Sequence, residues 1–344
     1  IEVILAPSRF SKFAYYSEDE GNNIRWTGKD TVYGPFHTQS NLLVDNHPVF
    51  GVMGYRTTIK GSVLYADYRD YYPTQIPQNP SGTTQTNRYN ASKADDKPVF
   101  HGSFEDGIDE PLVSNGLQPL KDAANDNGKM FNLTSTSTTR YEDFYLTFKG
   151  DSITYTIEGE QKTGGSWNDF TTTATVLASS LAPNGVVYLD GTNRYGNPLD
   201  LRLKGTVKGK FSVVGDGNIY LDDDIVYQTD PKTNPNSTDL LGILSQNNVY
   251  ITDNNDTKNI NIHAAIYCQD GGFGAENYNS RSVDGNINLL GGITQHIRRA
   301  VGTYSGSTSV SGFNKKYGYD KRLMKIHPPF FPTTSGFSIV SWKE

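Results

Sequence analysis

The feature that most constrains this 344-residue chain is a short unit that recurs through its second half: an Asn or Gly, then apolar, polar, apolar. It is written Val187-Tyr188-Leu189, Leu201-Arg202-Leu203, Asn218-Ile219-Tyr220-Leu221, Asn248-Val249-Tyr250-Ile251, Asn259-Ile260-Asn261-Ile262 and Asn286-Ile287-Asn288-Leu289. A second apolar step often follows, as in Gly205-Thr206-Val207, Asp224-Ile225-Val226, Ala265-Ile266 and Gly292-Ile293. Alternation with a period of two puts one set of side chains on one face of a strand. Gly, Asn and Asp between the units supply the turns. A unit that repeats as sequence, at irregular spacing, is what stacked short strands with variable loops require.

The expected fold is therefore all-β: a parallel β-helix (solenoid) with an inserted, mostly antiparallel β subdomain. The alternative is a β-sandwich or jelly roll, which also uses short alternating strands. In a solenoid, the Asn before each apolar run can bond its counterpart in the next layer, giving an amide column at a corner. The 34 Gly and 16 Pro, with 35% hydrophobic residues, argue against an all-helical protein, and the 22 Tyr and 16 Phe argue against disorder. No apolar run is long enough to cross a membrane as a helix.

Texture divides the chain into residues 1–65, N-terminal rungs; 66–180, an inserted loop-rich subdomain; and 181–344, the main stack with a C-terminal cap. Within the insertion, Tyr71–Ser92 reads as irregular loop and Pro111–Lys129 as a short helix interrupted by Gly116 and Pro119. Tyr145–Glu158 reads as a hairpin turning at Gly150-Asp151, with Phe170–Val176 as a third strand. Pro328-Pro329-Phe330-Phe331-Pro332 cannot be helical and is expected to cap the last rung or dock on a neighbouring subunit.

Formal charge is −6, and the basic pairs Arg298-Arg299, Lys315-Lys316 and Lys321-Arg322 are short and interrupted. That is no footprint for nucleic acid, so no nucleic-acid partner is expected. Cys268 is the single cysteine, which excludes an internal disulfide and a Cys-based zinc site; its apolar context reads as burial. The start at Ile1-Glu2-Val3 is expected of a chain from which an N-terminal segment has been removed.

At this point the chain resembles a domain-of-unknown-function family of bacterial envelope proteins found near PilX-type pilus-assembly proteins. The stretches that carry the resemblance are Phe10–Tyr16, Gly34–Thr38, Pro48–Gly51, Asp222–Tyr227, Leu240–Val249, Ala264–Ile266, Gly291–Gln295 and Tyr319-Asp320. They cover both ends and skip most of the middle. The resemblance implies a surface or filament role in the cell envelope, outside the cytoplasm, and supplies no catalytic residues. Family members carry an N-terminal membrane-anchor or pilin-like helix, so membrane contact would come only through a segment ahead of Ile1.

Asp222-Asp223-Asp224 places two carboxylates on one strand face, where they could hold Ca²⁺ or act as acid and base; otherwise they cap a turn. Asp253-Asn254-Asn255-Asp256 has calcium-type ligands but reads better as an Asx turn. Ca²⁺ is thus the one candidate cofactor, and no catalytic or cofactor-binding residue is assigned. The histidines, among them His37 and His263, lack zinc spacing and read as core or corner residues. Gly-x-Ser-x-Gly, P-loop and dinucleotide motifs are absent from the sequence. Loop tyrosines Tyr68, Tyr71, Tyr72, Tyr278, Tyr304, Tyr317 and Tyr319 suit carbohydrate or protein contacts. The expected function is a non-enzymatic structural or adhesive cell-surface protein, as a filament or pilus-associated subunit. Its partners would be copies of itself, other envelope or pilus proteins, or surface glycans. The alternatives are a secreted carbohydrate-active enzyme or a glycan-binding module.

Overall fold

The computed structural model describes residues 2–21, 24–28, 30–65, 98–305 and 308–343. The Tyr71–Ser92 loop and Tyr68, Tyr71 and Tyr72 lie outside them. The protein is all-β, with 54% of residues in strands and 7% in helices, and its large sheet does not close on itself.

The strands pair mainly side by side in parallel. A first ladder runs from Lys129–Thr134 to Val186–Thr192, Lys210–Gly215, Leu240–Ser245, Asn261–Cys268 and Val283–Ile297. It does not stop there. Tyr15–Asp19 pairs in parallel with Val283–Ile297, and Phe36–Thr38, Thr57–Ile59 and Phe104-Glu105 follow in turn. A second ladder passes through Phe144, Leu201, Ile219, Val249 and Phe273, each aligned with the next. A third passes through Gly205, Ile225, Ile262, Leu289, Tyr317 and Val32. The N-terminal strands thus sit beyond the C-terminal ones, so the order of layers departs once from the order of the sequence.

Register explains the recurring unit. One column of the first ladder reads Val187, Val213, Ile243, Ile266, Ile293, Tyr15 and Phe36. All are nearly or fully buried. The interior changes from aliphatic to aromatic where the N-terminal layers begin. Tyr15 stacks on Phe36 with ring centroids 5.3 Å apart, and Trp26, Phe50, Phe100 and Phe104 continue the cluster. The opposite face of the same ladder is also covered. Phe10, Phe331 and Leu120 of the helix Gln118–Asn127 are all fully buried. Phe331 meets Tyr267 edge-on at 6.0 Å. A strand sealed on both faces reads as a near-continuous apolar run, as in Leu240-Leu241-Gly242-Ile243-Leu244.

Corners carry the expected amide columns. Asn218 Nδ2 donates to Asp200 Oδ1 (3.1 Å), Asn248 Nδ2 donates to Asn218 Oδ1 (3.1 Å), and the Gly272 amide donates to Asn248 Oδ1 (3.0 Å). A second column links Asp224, Asn261 and Asn288 at 2.8 and 3.1 Å. Gly272 is required sterically, because a Cβ there would lie 1.8 Å from the Ile297 carbonyl oxygen.

Three elements differ from the sequence expectation. The helix covers Gln118–Asn127 only, with Pro119 in its first turn, where a missing N–H costs nothing. The proline-rich tail packs against the first ladder rather than over a terminal strand: Ser212 Oγ donates to the Pro329 carbonyl at 2.6 Å. Residues 66–180 are not uniform. Thr139–Gly150, Ser152–Thr163 and Ser166–Leu177 form an antiparallel sheet, yet Lys129–Thr134 and the second half of Thr139–Gly150 enter the parallel ladders.

The out-of-order junction is tied by buried charge. Arg298 Nη1 donates to Glu20 Oε2 at 2.8 Å, with side chains 3% and 0% exposed. Trp26 Nε1 donates to the same oxygen at 2.6 Å, and Ser17 donates to the other. The guanidinium lies 4.1 Å from the Trp26 ring centroid. Gln295 donates to the Tyr15 hydroxyl (2.8 Å), and Lys315 to both Asp30 oxygens (3.1 Å each). Replacing Arg298 with Met leaves Glu20 buried and unpaired. The expected loss is about 3–5 kcal/mol in urea unfolding, with part recovered in the Glu20→Leu/Arg298→Met double variant. A single variant as stable as wild type would show that the pair does not hold the junction.

Candidate binding cleft

A cleft of about 740 Å³ opens on the third ladder at this same junction. Strand parity builds it. Val283–Ile297 and Thr308–Tyr319 run parallel, with Asn286 beside Asn314 and Asn288 beside Lys316. Ile287, Leu289 and Tyr317 point into the core, so Asn286, Asn288, Asn314 and Lys316 point out of it. Tyr33, whose strand pairs with Tyr317-Gly318, brings a ring that is 46% exposed. Lys232 enters from the long turn after Tyr227, and Tyr304 closes a wall with its hydroxyl donating to the Phe313 carbonyl at 2.6 Å. Burial pushes Tyr304 up to about 12, so that hydroxyl keeps its proton.

The floor is charged but neutralised. Lys315 occupies an inward position and is held by Asp30; burial lowers its pKa, against the pull of that carboxylate. Lys315-Lys316 is therefore no basic patch. Arg298-Arg299 behaves alike, with Arg298 turned inside and Arg299 at the surface. A second cleft of about 580 Å³, beside the short helix Ala178–Leu181, is lined by Leu177, Pro183, Lys210, Phe211 and Pro329 among others, and its Lys208 is paired with Asp151.

The sequence-derived candidates sit elsewhere. Asp222 accepts from Arg202 in the layer below (2.9 Å) and from Thr252 Oγ1 in the layer above (2.7 Å). Asp224 accepts from the Asn261 backbone (2.7 Å) and side chain (2.8 Å). Both carboxylates are ties between layers. Asn254 Oδ1 accepts from the Asp256 and Thr257 amides, an Asx turn, and Asp253 accepts from Asn277. Among the described residues no three His, Cys, Asp or Glu side chains come together in a metal-binding group.

His263 Nδ1 accepts from the Tyr227 amide at 3.2 Å, and burial lowers its pKa. Cys268 is fully buried and pushed up to about 12, so it stays a thiol. Of the tyrosines expected at the surface, Tyr317 and Tyr319 are buried, and the Tyr319 hydroxyl donates to the Lys12 carbonyl at 2.8 Å. The run Lys315–Tyr319 is strand, not loop, and its parity turns every second residue inward. Tyr33 and Tyr195, at 46% and 73% exposure, are the open rings that loop-counting missed. No family model, curated protein or solved structure matches the chain.

His37 is fully buried between Phe13 and Tyr16, its Nδ1 2.7 Å from Thr58 Oγ1 and its Nε2 within hydrogen-bond geometry of no partner among the described residues. Burial pushes it down to about 4, with Lys12 lowering it further and Glu110 opposing. The unfolded chain, near 6.5, binds that proton first. Stability is therefore full above about pH 6.5 and falls as pH drops towards 4, by on the order of 3 kcal/mol. Urea midpoints measured from pH 7.5 to 4.5 should show this decline, and a His37→Gln variant should show a shallower one. Identical slopes would rule out His37 as its source.

Proposed function

We propose that this chain is a non-enzymatic structural or adhesive protein of the bacterial cell envelope, built as a parallel β-solenoid whose faces are the three ladders. In-register parallel pairing and amide columns at the corners favour that architecture over a sandwich, whose sheets are antiparallel. The antiparallel sheet over residues 139–177 is read as its appendage. The observation that carries the functional reading is the use made of Asp222 and Asp224. A glycosidase of the usual kind needs two carboxylates flanking an open bond-breaking site. Here both are spent on Arg202, Thr252 and Asn261, holding layers together. The cell-surface and filament aspects rest on the family resemblance, and copies of the chain or other envelope proteins are its proposed partners.

The test combines sedimentation of the full chain over a wide concentration range, retention on bacterial and host cell surfaces, and a reducing-end assay on a polysaccharide panel. Expected are surface retention or concentration-dependent assembly, with no new reducing ends. Asp222→Asn should leave both unchanged and lower stability by only about 1 kcal/mol, as for a partly exposed ion pair. A monodisperse monomer without surface retention would refute the proposal. Chain cleavage abolished by Asp222→Asn or Asp224→Asn would replace it with a hydrolase.

A further inference from the structure

We infer that the junction cleft is a binding site for an acidic oligosaccharide, a uronate-type chain; this rests on the adhesive reading above. The first argument is the state of its carboxamides. Asn286 Nδ2 donates to Asn259 Oδ1 (3.3 Å), Asn288 Nδ2 to Asn261 Oδ1 (3.1 Å) and Asn314 Nδ2 to the Gly285 carbonyl (3.4 Å). Those bonds fix the orientation of each amide. Asn288 gives its second N–H to the Asn259 carbonyl (3.5 Å) and keeps only its Oδ1 open, while Asn286 and Asn314 each keep one N–H and the Oδ1 with no side-chain or backbone partner among the described residues. A carboxamide so placed offers a donor and an acceptor side by side, which matches neighbouring sugar hydroxyls that each give and take one hydrogen bond.

The second argument is the ring of Tyr33, a flat apolar face with a polar tip, set at the cleft edge. The third is charge. Lys316 and Lys232 line the cleft, are exposed, and have no ion-pair partner among the described residues. The acidic residue in the lining, Asp30, is already neutralised by Lys315. The cleft is thus locally positive in a chain of formal charge −6, which selects an anionic sugar over a neutral one. Two lysines without an accompanying basic stripe are too few for a nucleic-acid backbone. The site also needs both parts of the stack: Tyr33 comes from the N-terminal layers and the carboxamides from the C-terminal ones.

The experiment is calorimetric titration of the full chain with oligogalacturonate and with a cello-oligosaccharide of equal length, alongside a single-stranded oligonucleotide. The variants are Tyr33→Ala, Lys316→Gln and, as a control outside the cleft, Tyr195→Ala. All three positions are exposed, so far-UV circular dichroism should not change. Expected is preferential, salt-sensitive binding of oligogalacturonate, weakened about tenfold by Tyr33→Ala and roughly threefold by Lys316→Gln, and unaltered by Tyr195→Ala. Undiminished binding in the cleft variants, tighter binding of the oligonucleotide or the neutral sugar, or no binding of oligogalacturonate would each overturn the inference. The last result, with surface retention intact, would leave the adhesive reading standing, whereas release of new reducing ends would defeat that reading itself.

Discussion

In a parallel in-register ladder each side chain lies over its counterpart one layer away, about 4.8 Å distant. That spacing dictates the chemistry of every column. An inward column must be apolar throughout, and Val187, Val213, Ile243, Ile266 and Ile293 meet the demand. An amide column works because a carboxamide both donates and accepts, so Asn218 and Asn248 can bond in series and end on Asp200, which only accepts. Like charges in register would repel; Arg202 lies beside Tyr220 in register and pairs diagonally with Asp222, which also accepts from Thr252.

The same constraint accounts for the junction between the two halves of the stack. Without Tyr15–Asp19 and Thr308–Tyr319 beside it, the strand Val283–Ile297 would be a sheet edge, and an edge accepts any strand of suitable length. Selectivity has to come from side chains. Glu20 with Arg298, Asp30 with Lys315, and Tyr15 with Gln295 each join an N-terminal residue to a C-terminal one inside the stack. Buried pairs of this kind contribute little net stability when formed, yet their mismatch is costly. They favour one docking over others. The cleft is a by-product of this docking, since its walls belong to both halves.

Chemistry and scaffold are separated in this molecule. The groups that look reactive in the sequence, Asp222, Asp224, His263 and Cys268, are engaged in the scaffold, each bonded to a neighbouring layer or buried. The groups left open in the cleft include amides, a phenol ring and two ammoniums.

The sequence by itself determined the all-β class and the strand units, because alternation depends on residues only one or two positions apart; the apolar and amide columns needed the register between distant strands. It also determined the hairpin turning at Gly150-Asp151. Parity was legible too: Lys315, Tyr317 and Tyr319 alternate with Lys316 and Gly318, although a loop reading of that stretch hid which ones face out. Only the tertiary structure decided the order of layers, the placement of Tyr15–Asp19 against Val283–Ile297, and hence the cleft. Backbone ladder bonds are the same for every strand and carry no memory of sequence distance. The partner of Glu20 lies 278 residues away, and nothing local to either residue names the other.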